Sequence, residues 1–230
     1  GANGKSDGPG VSCRLGPGQN YGFCLYTFGA VMRPFLHEST AADAAKLGLF
    51  ILELPVDITS PVRAFLSLKQ AGHHSCLLES ADGPDAMARY SFIGVNPSGT
   101  LRLYEEFGEL TFGSAESQRI DDPIKALRTA LSTSGTHGTQ DGLPPFAGGW
   151  VGYLNYDFVR IIEPSVPRHA GVEDGEQYGY LQYFGDIVAF DHAKQKIFVV
   201  TDVRDGSPEA IDDARKRGVQ LAFDVYGPPA

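Results

Sequence analysis

The sequence predicts an α+β fold built from antiparallel β-sheets with flanking helices. Three observations carry that class. Short apolar segments follow one another in pairs, without the helical crossovers that parallel strands require. Gly (28 residues) and Pro (15 residues) are abundant in a chain of 230, against a combined average usage of about 12%, so turns are frequent. Three segments also share one helix-start signature, a capping side chain followed by proline at the first helical position: Ser60-Pro61, Asp122-Pro123 and Ser207-Pro208.

Taken in order, residues 1–20 hold six Gly and two Pro with no apolar period. Residues 1–38 are left as a flexible, unassigned segment, and 39–226 read as one domain. Residues 40–47 favour a short helix through Ala41, Ala42, Ala44, Ala45 and Leu47. Residues 49–54 form an apolar run closed by Pro55, which suits a buried strand. The helix opened by Ser60-Pro61 carries Val62, Phe65, Leu66 and Lys69 and is expected to stop at Gly72. Residues 75–80 and 90–95 read as strands. Residues 100–104 and 109–112 read as a hairpin turning around Gly108.

The second capped helix presents Ile124, Leu127 and Leu131 as its apolar stripe, and 132–142 follow as a polar, glycine-rich loop. Residues 146–156 read as an aromatic strand in which Gly148-Gly149 signal a bulge or a close backbone approach. Residues 180–190 and 196–203 flank Asp191-His192-Ala193 as a second hairpin. The last helix runs towards Tyr226 on Ile211, Ala214, Leu221, Ala222 and Val225, with Gly218 weakening its middle.

Charge narrows the function classes. Nineteen Lys and Arg against 28 Asp and Glu leave a formal net charge of -9, with no basic run. Nucleic acid is therefore a poor partner, because phosphate binding draws on clustered cations. No stretch approaches the roughly 18 consecutive apolar residues of a membrane helix. Cys13, Cys24 and Cys76 cannot all pair and lack metal-ligand spacing. Reduced thiols in a cytoplasmic protein are expected. His73 and His74 are adjacent and point to opposite faces of a strand, so one ion cannot readily use both. The Gly148-Gly149-Trp150-Val151-Gly152 run has neither a phosphate-loop nor a dinucleotide pattern. Tyr178, Tyr180, Tyr183 and Phe184 read as a sheet face.

One arrangement suits a ligand. Leu77-Leu78-Glu79-Ser80 delivers a carboxylate and a hydroxyl at the end of an apolar strand, and Arg89-Tyr90 opens the next. A free amino acid needs a carboxylate for its ammonium, a donor for its carboxylate and an apolar slot. Composition alone goes no further than that and yields no reaction.

The same residues resemble a family. Glu53-Leu54-Pro55-Val56-Asp57 to Ser60-Pro61, Leu77-Leu78-Glu79-Ser80 and Arg89-Tyr90-Ser91-Phe92-Ile93-Gly94 resemble the N-terminal region of anthranilate synthase component I. Pro145-Phe146-Ala147-Gly148-Gly149-Trp150-Val151-Gly152-Tyr153, Tyr156-Asp157 and the stretch from Phe184-Gly185-Asp186 to Asp191-His192 continue the match in order, over roughly 49–203. The resemblance implies the regulatory lobe of a chorismate-utilising enzyme. That enzyme makes anthranilate and pyruvate from chorismate with Mg²⁺, taking ammonia from a glutamine amidotransferase subunit (component II). Its chorismate and metal ligands lie in a C-terminal catalytic domain, expected beyond Ala230. No catalytic residue, metal ligand or cofactor is expected in this chain, which alone should make no anthranilate.

What the resemblance does imply here is the tryptophan feedback site. By that resemblance Glu79 is expected to receive the ligand ammonium, Ser80 to line the pocket, and Arg89 to help close it. An apolar face, formed by 146–156 and the tyrosine-rich run after Gly179, is expected to lie uncovered where the catalytic domain packs. Two alternatives remain: aminodeoxychorismate synthase component I, which usually departs from these motifs, and a stand-alone amino-acid-binding module.

Overall fold

The computed structural model describes residues 37–56, 59–69, 74–79, 89–133, 142–167 and 175–227, all within one unit, Leu36–Ala230. Helix starts follow the local chemistry closely. Thr40 caps α1 (Ala41–Leu47) in a reciprocal box with Asp43, and Gly48 ends it in the left-handed region. Ser60 caps α2 (Pro61–Leu68), accepting from the Arg63 amide. Asp122 Oδ1 accepts from the amides of Ile124 and Lys125 at 2.8 and 3.2 Å and so opens α3 (Pro123–Thr133). Ser207 caps α5 (Pro208–Val225), accepting from the Ala210 amide. A short α4 (Val159–Ile162), entered through a 3₁₀ turn at Tyr156–Phe158, has no counterpart in the sequence reading. Asn155 starts that turn by accepting from the Phe158 amide.

Among the described residues six strands form the first sheet: β1 (His37–Glu38), β2 (Leu49–Pro55), β3 (Ser75–Glu79), β4 (Tyr90–Val95), β10 (Asp186–Asp191) and β11 (Lys196–Asp202). Their order is β1-β2-β11-β10-β4-β3. The second sheet holds β5 (Gly99–Leu103), β6 (Phe107–Phe112), β7 (Gln118–Asp121), β8 (Gly149–Leu154) and β9 (Gly179–Phe184), in the order β7-β6-β5-β9-β8. Every pairing among the described residues is antiparallel.

The first sheet is covered on both faces. Leu52, Leu54, Ile93, Val188, Phe190, Ile197 and Val199 pack under Ala64 and Leu68 of α2 and Ala214, Leu221 and Val225 of α5. Leu49, Ile51, Ala189, Phe198 and Val200 face the other way, towards Leu47, Leu143 and Ala147. Double burial explains why β10 and β11 read as continuous apolar runs rather than alternating ones. The second sheet buries Leu101, Leu103, Leu110 and Ile120 against Ala126 and Ala130 of α3.

Four expectations are corrected. The 180–190 strand is two strands in two different sheets, broken at Gly185, where an added Cβ would lie 3.0 Å from that of Asp202. Gly108 is not a turn residue. It pairs with Leu103 inside β6, and its missing side chain lets α3 approach, since an added Cβ would stand 2.3 Å from Ala126 Cβ. In α2 the buried stripe is Ala64 and Leu68, while Val62 and Leu66 are about half exposed (49% and 47%). In α3 the buried positions are Pro123, Ala126 and Ala130, and Leu131 is exposed. Small residues were passed over because they carry little hydrophobic signal, yet close packing on a sheet selects them. Gly218, in contrast, sits in α5 because an added Cβ would approach the Phe50 ring to 3.1 Å. Residues 1–36, Gly72, His73 and most of the 132–142 loop lie outside the described residues; Ser132 and Thr133 complete α3.

Candidate functional site

Glu79 closes β3, which among the described residues pairs only with β4 and so forms an edge of the first sheet. It is exposed and has no ion-pair partner among the described residues. Its cross-strand partner is Ser91. Directly paired residues in an antiparallel ladder share a face, and neighbours alternate. Glu79, Leu77, Ser91 and Phe190 therefore share the face covered by α2 and α5. Tyr90, Phe92 and Asp191 lie on the opposite one. Ser80 lies outside the described residues.

Arg89, just before β4, is held by Asp191. Its Nε and Nη2 donate to the two carboxylate oxygens at 3.0 and 2.6 Å, a bidentate pair. The guanidinium also stands 4.8 Å from the centroid of the Tyr90 ring. Asp191 is fully buried (0% exposed side chain), and its Oδ1 accepts a further bond from the Lys194 amide at 3.0 Å. Burial alone would raise this carboxyl, but the Arg89 and Lys194 hydrogen bonds outweigh it and hold the group below the usual carboxylate range. Burial, then the Asp191 charge, pushes the Tyr90 phenol up. On the other face, Ser91 Oγ and His192 Nε2 share a hydrogen bond at 2.8 Å, and the His192 amide donates to the Arg89 carbonyl at 2.9 Å.

The structure thus gathers Glu79 and Arg89 at one end of the first sheet but turns their side chains to opposite faces. An edge carboxylate at a strand end can accept an ammonium from solvent. A guanidinium already committed to a buried carboxylate serves first as an anchor. Sequence reasoning missed Asp191 and His192 as members of this group, having read them as hairpin residues and as part of the family match.

A second polar group was also missed. At the junction of the sheets Asn96, Ser98, Gly185, Asp186, Asp202, Arg204 and Arg217 line a notch. Arg217 Nε donates to Asp186 at 3.1 Å and Nη2 donates to the Asp202 carbonyl at 2.7 Å. Arg217 also pairs with Asp213. Burial raises the Asp186 carboxyl against the pull of Arg217. The arrangement fastens α5 to the point where the chain changes sheets. No group of three or more His, Cys, Asp or Glu able to hold a metal occurs among the described residues. No described helix is long and apolar enough to cross a membrane.

An uncovered apolar surface follows β8. Tyr153, Leu154, Tyr156, Val159 and Ile162 are exposed, Tyr156 by 88%. The tyrosine-rich run after Gly179 contributes less than expected, since Tyr183 and Phe184 are buried. Gly152 lets β8 lie close on β9: a Cβ there would fall 2.0 Å from the Tyr180 carbonyl oxygen.

No family model matches the chain. Among curated proteins it is 31% identical over 168 residues to a probable anthranilate synthase component 1 of Schizosaccharomyces pombe, covering 72% of this chain and 31% of that protein. It is 30% identical over 161 residues to aminodeoxychorismate synthase component 1 of Bacillus subtilis, covering 70% of this chain and 33% of that one. The crystal structure of anthranilate synthase component I from Streptococcus pneumoniae is similar at 25% identity and a TM-score of 0.46, over 75% of this chain and 36% of that chain. The chain spans about a third of the length of the curated relatives it matches.

Proposed function

Because the chain is homologous to anthranilate synthase component I, of the chorismate-utilising enzymes, over about seven-tenths of its length, we propose that it is the regulatory, tryptophan-binding part of such an enzyme. In this reading the whole protein makes anthranilate and pyruvate from chorismate, with Mg²⁺ held elsewhere and ammonia supplied by an amidotransferase subunit. The 230-residue chain by itself performs no turnover. The observation that carries the proposal is Glu79: a carboxylate free of ion pairs among the described residues, at the end of an exposed edge strand. It stands in the motif that resembles the family's feedback site. A charge-assisted hydrogen bond from a ligand ammonium to Glu79 is worth about 1.5–3 kcal/mol.

Glu79→Gln is therefore expected to weaken l-tryptophan binding by roughly 10- to 150-fold. An NMR titration of the chain with tryptophan reads this even for a weak ligand. No binding by the unmodified chain, or equal binding by the variant, rejects the proposal. The similarity to aminodeoxychorismate synthase component 1 favours a second reading, a folate-pathway enzyme. Measuring whether the complete protein releases anthranilate or aminodeoxychorismate separates the two.

A further inference from the structure

We infer that Asp191 and His192 are positioning residues for Glu79; the inference rests on the amino-acid-binding reading above. Among the described residues β3 is paired with β4 alone, so the start of β4 sets where the last residue of β3 stands. That start, with Arg89 just before it, is gripped from both faces by the last residue of β10 and the first residue after it. On one face the buried Asp191 carboxylate takes Arg89 through two bonds, at 3.0 and 2.6 Å, and is itself braced by the Lys194 amide. On the other, the His192 ring bonds the hydroxyl of Ser91, the register partner of Glu79. Between them the His192 amide bonds the Arg89 carbonyl. Four bonds thus tie Arg89 and Ser91, on either side of Tyr90, to the consecutive residues Asp191 and His192. With both Nε and Nη2 on Asp191, and its head turned to the face opposite Glu79, Arg89 acts through this clamp and does not touch the ligand.

The test compares l-tryptophan with tryptamine, which keeps the ammonium and the indole but lacks the carboxylate. Both are titrated by NMR into the 230-residue chain and its Asp191→Asn, His192→Ala and Ser207→Ala variants. A displaced Glu79 weakens both ligands by the same factor, roughly tenfold, the scale on which supporting contacts act. Ser207→Ala uncaps α5 and lowers stability without reaching the clamp, so it leaves both affinities unchanged. His192 is exposed, so its variant tests the same clamp if Asp191→Asn does not fold. Unchanged affinities in the folded variants overturn the inference. So does a loss confined to tryptophan, which makes Arg89 the contact for the ligand carboxylate. If Glu79→Gln weakens binding while the clamp variants do not, the inference fails and the binding reading stands. If the unmodified chain binds neither ligand, the binding reading itself fails.

Discussion

Asp191 shows how one residue can carry both stability and geometry. Its carboxyl is held below the ordinary range in the folded chain, so the folded state favours the charged form. A carboxylate with a depressed folded pKa contributes stability that is fully present above its unfolded value of about 3.9. That contribution disappears as the pH falls from there through the folded value. The unmodified chain is therefore expected to lose stability over that acid window more steeply than Asp191→Asn. At pH 7 the variant is the less stable of the two, and the two curves converge at the acid end. Urea midpoints measured from pH 7 down to 2 check this, and parallel curves would assign the acid response to other carboxylates. The motif around Glu79 was legible because its residues are contiguous. Asp191 was not, since its partner lies 102 positions away in the chain.

At the scale of elements, helix starts were readable and helix faces were not. Ser60, Asp122 and Ser207 each bond an amide two or three residues on, so the evidence for a cap is contained in four residues. Which side of the helix is buried depends on the sheet beneath. In α2 that side is Ala64 and Leu68, not the bulkier Val62 and Leu66. Leu66→Gln should then change stability by no more than about 0.5 kcal/mol. Ala64→Leu should cost about 1–3 kcal/mol by overfilling a space that has no exposed surface left. Denaturant unfolding of the two variants ranks them, and the reverse ranking would restore the face expected from the sequence.

On the scale of the whole molecule, the two sheets end differently. The six-stranded sheet is covered on both faces and exposes Glu79 at one edge. The five-stranded sheet ends at β8, whose Tyr153 and Leu154 are exposed together with Tyr156 and Ile162 just beyond it. Exposed apolar side chains gathered in this way promote association. Tyr156→Ser combined with Ile162→Ser should leave the unfolding free energy within about 1 kcal/mol, since both positions are surface sites. The same pair should reduce concentration-dependent self-association, which light scattering reads. An unchanged scattering profile would place any association on another surface.

The α+β class, the capped helix starts and the existence of most strands were all legible in the sequence. Each of these depends on interactions within a few residues or on a contiguous pattern. Tertiary structure alone decided that 180–190 belongs to two sheets, that Ala64 and Ala126 face the core, and that Arg89 is bound to Asp191 on the face opposite Glu79. Strand partners, buried faces and long-range ion pairs are set by what the chain brings together from distant positions. Local propensity carries no record of that distance.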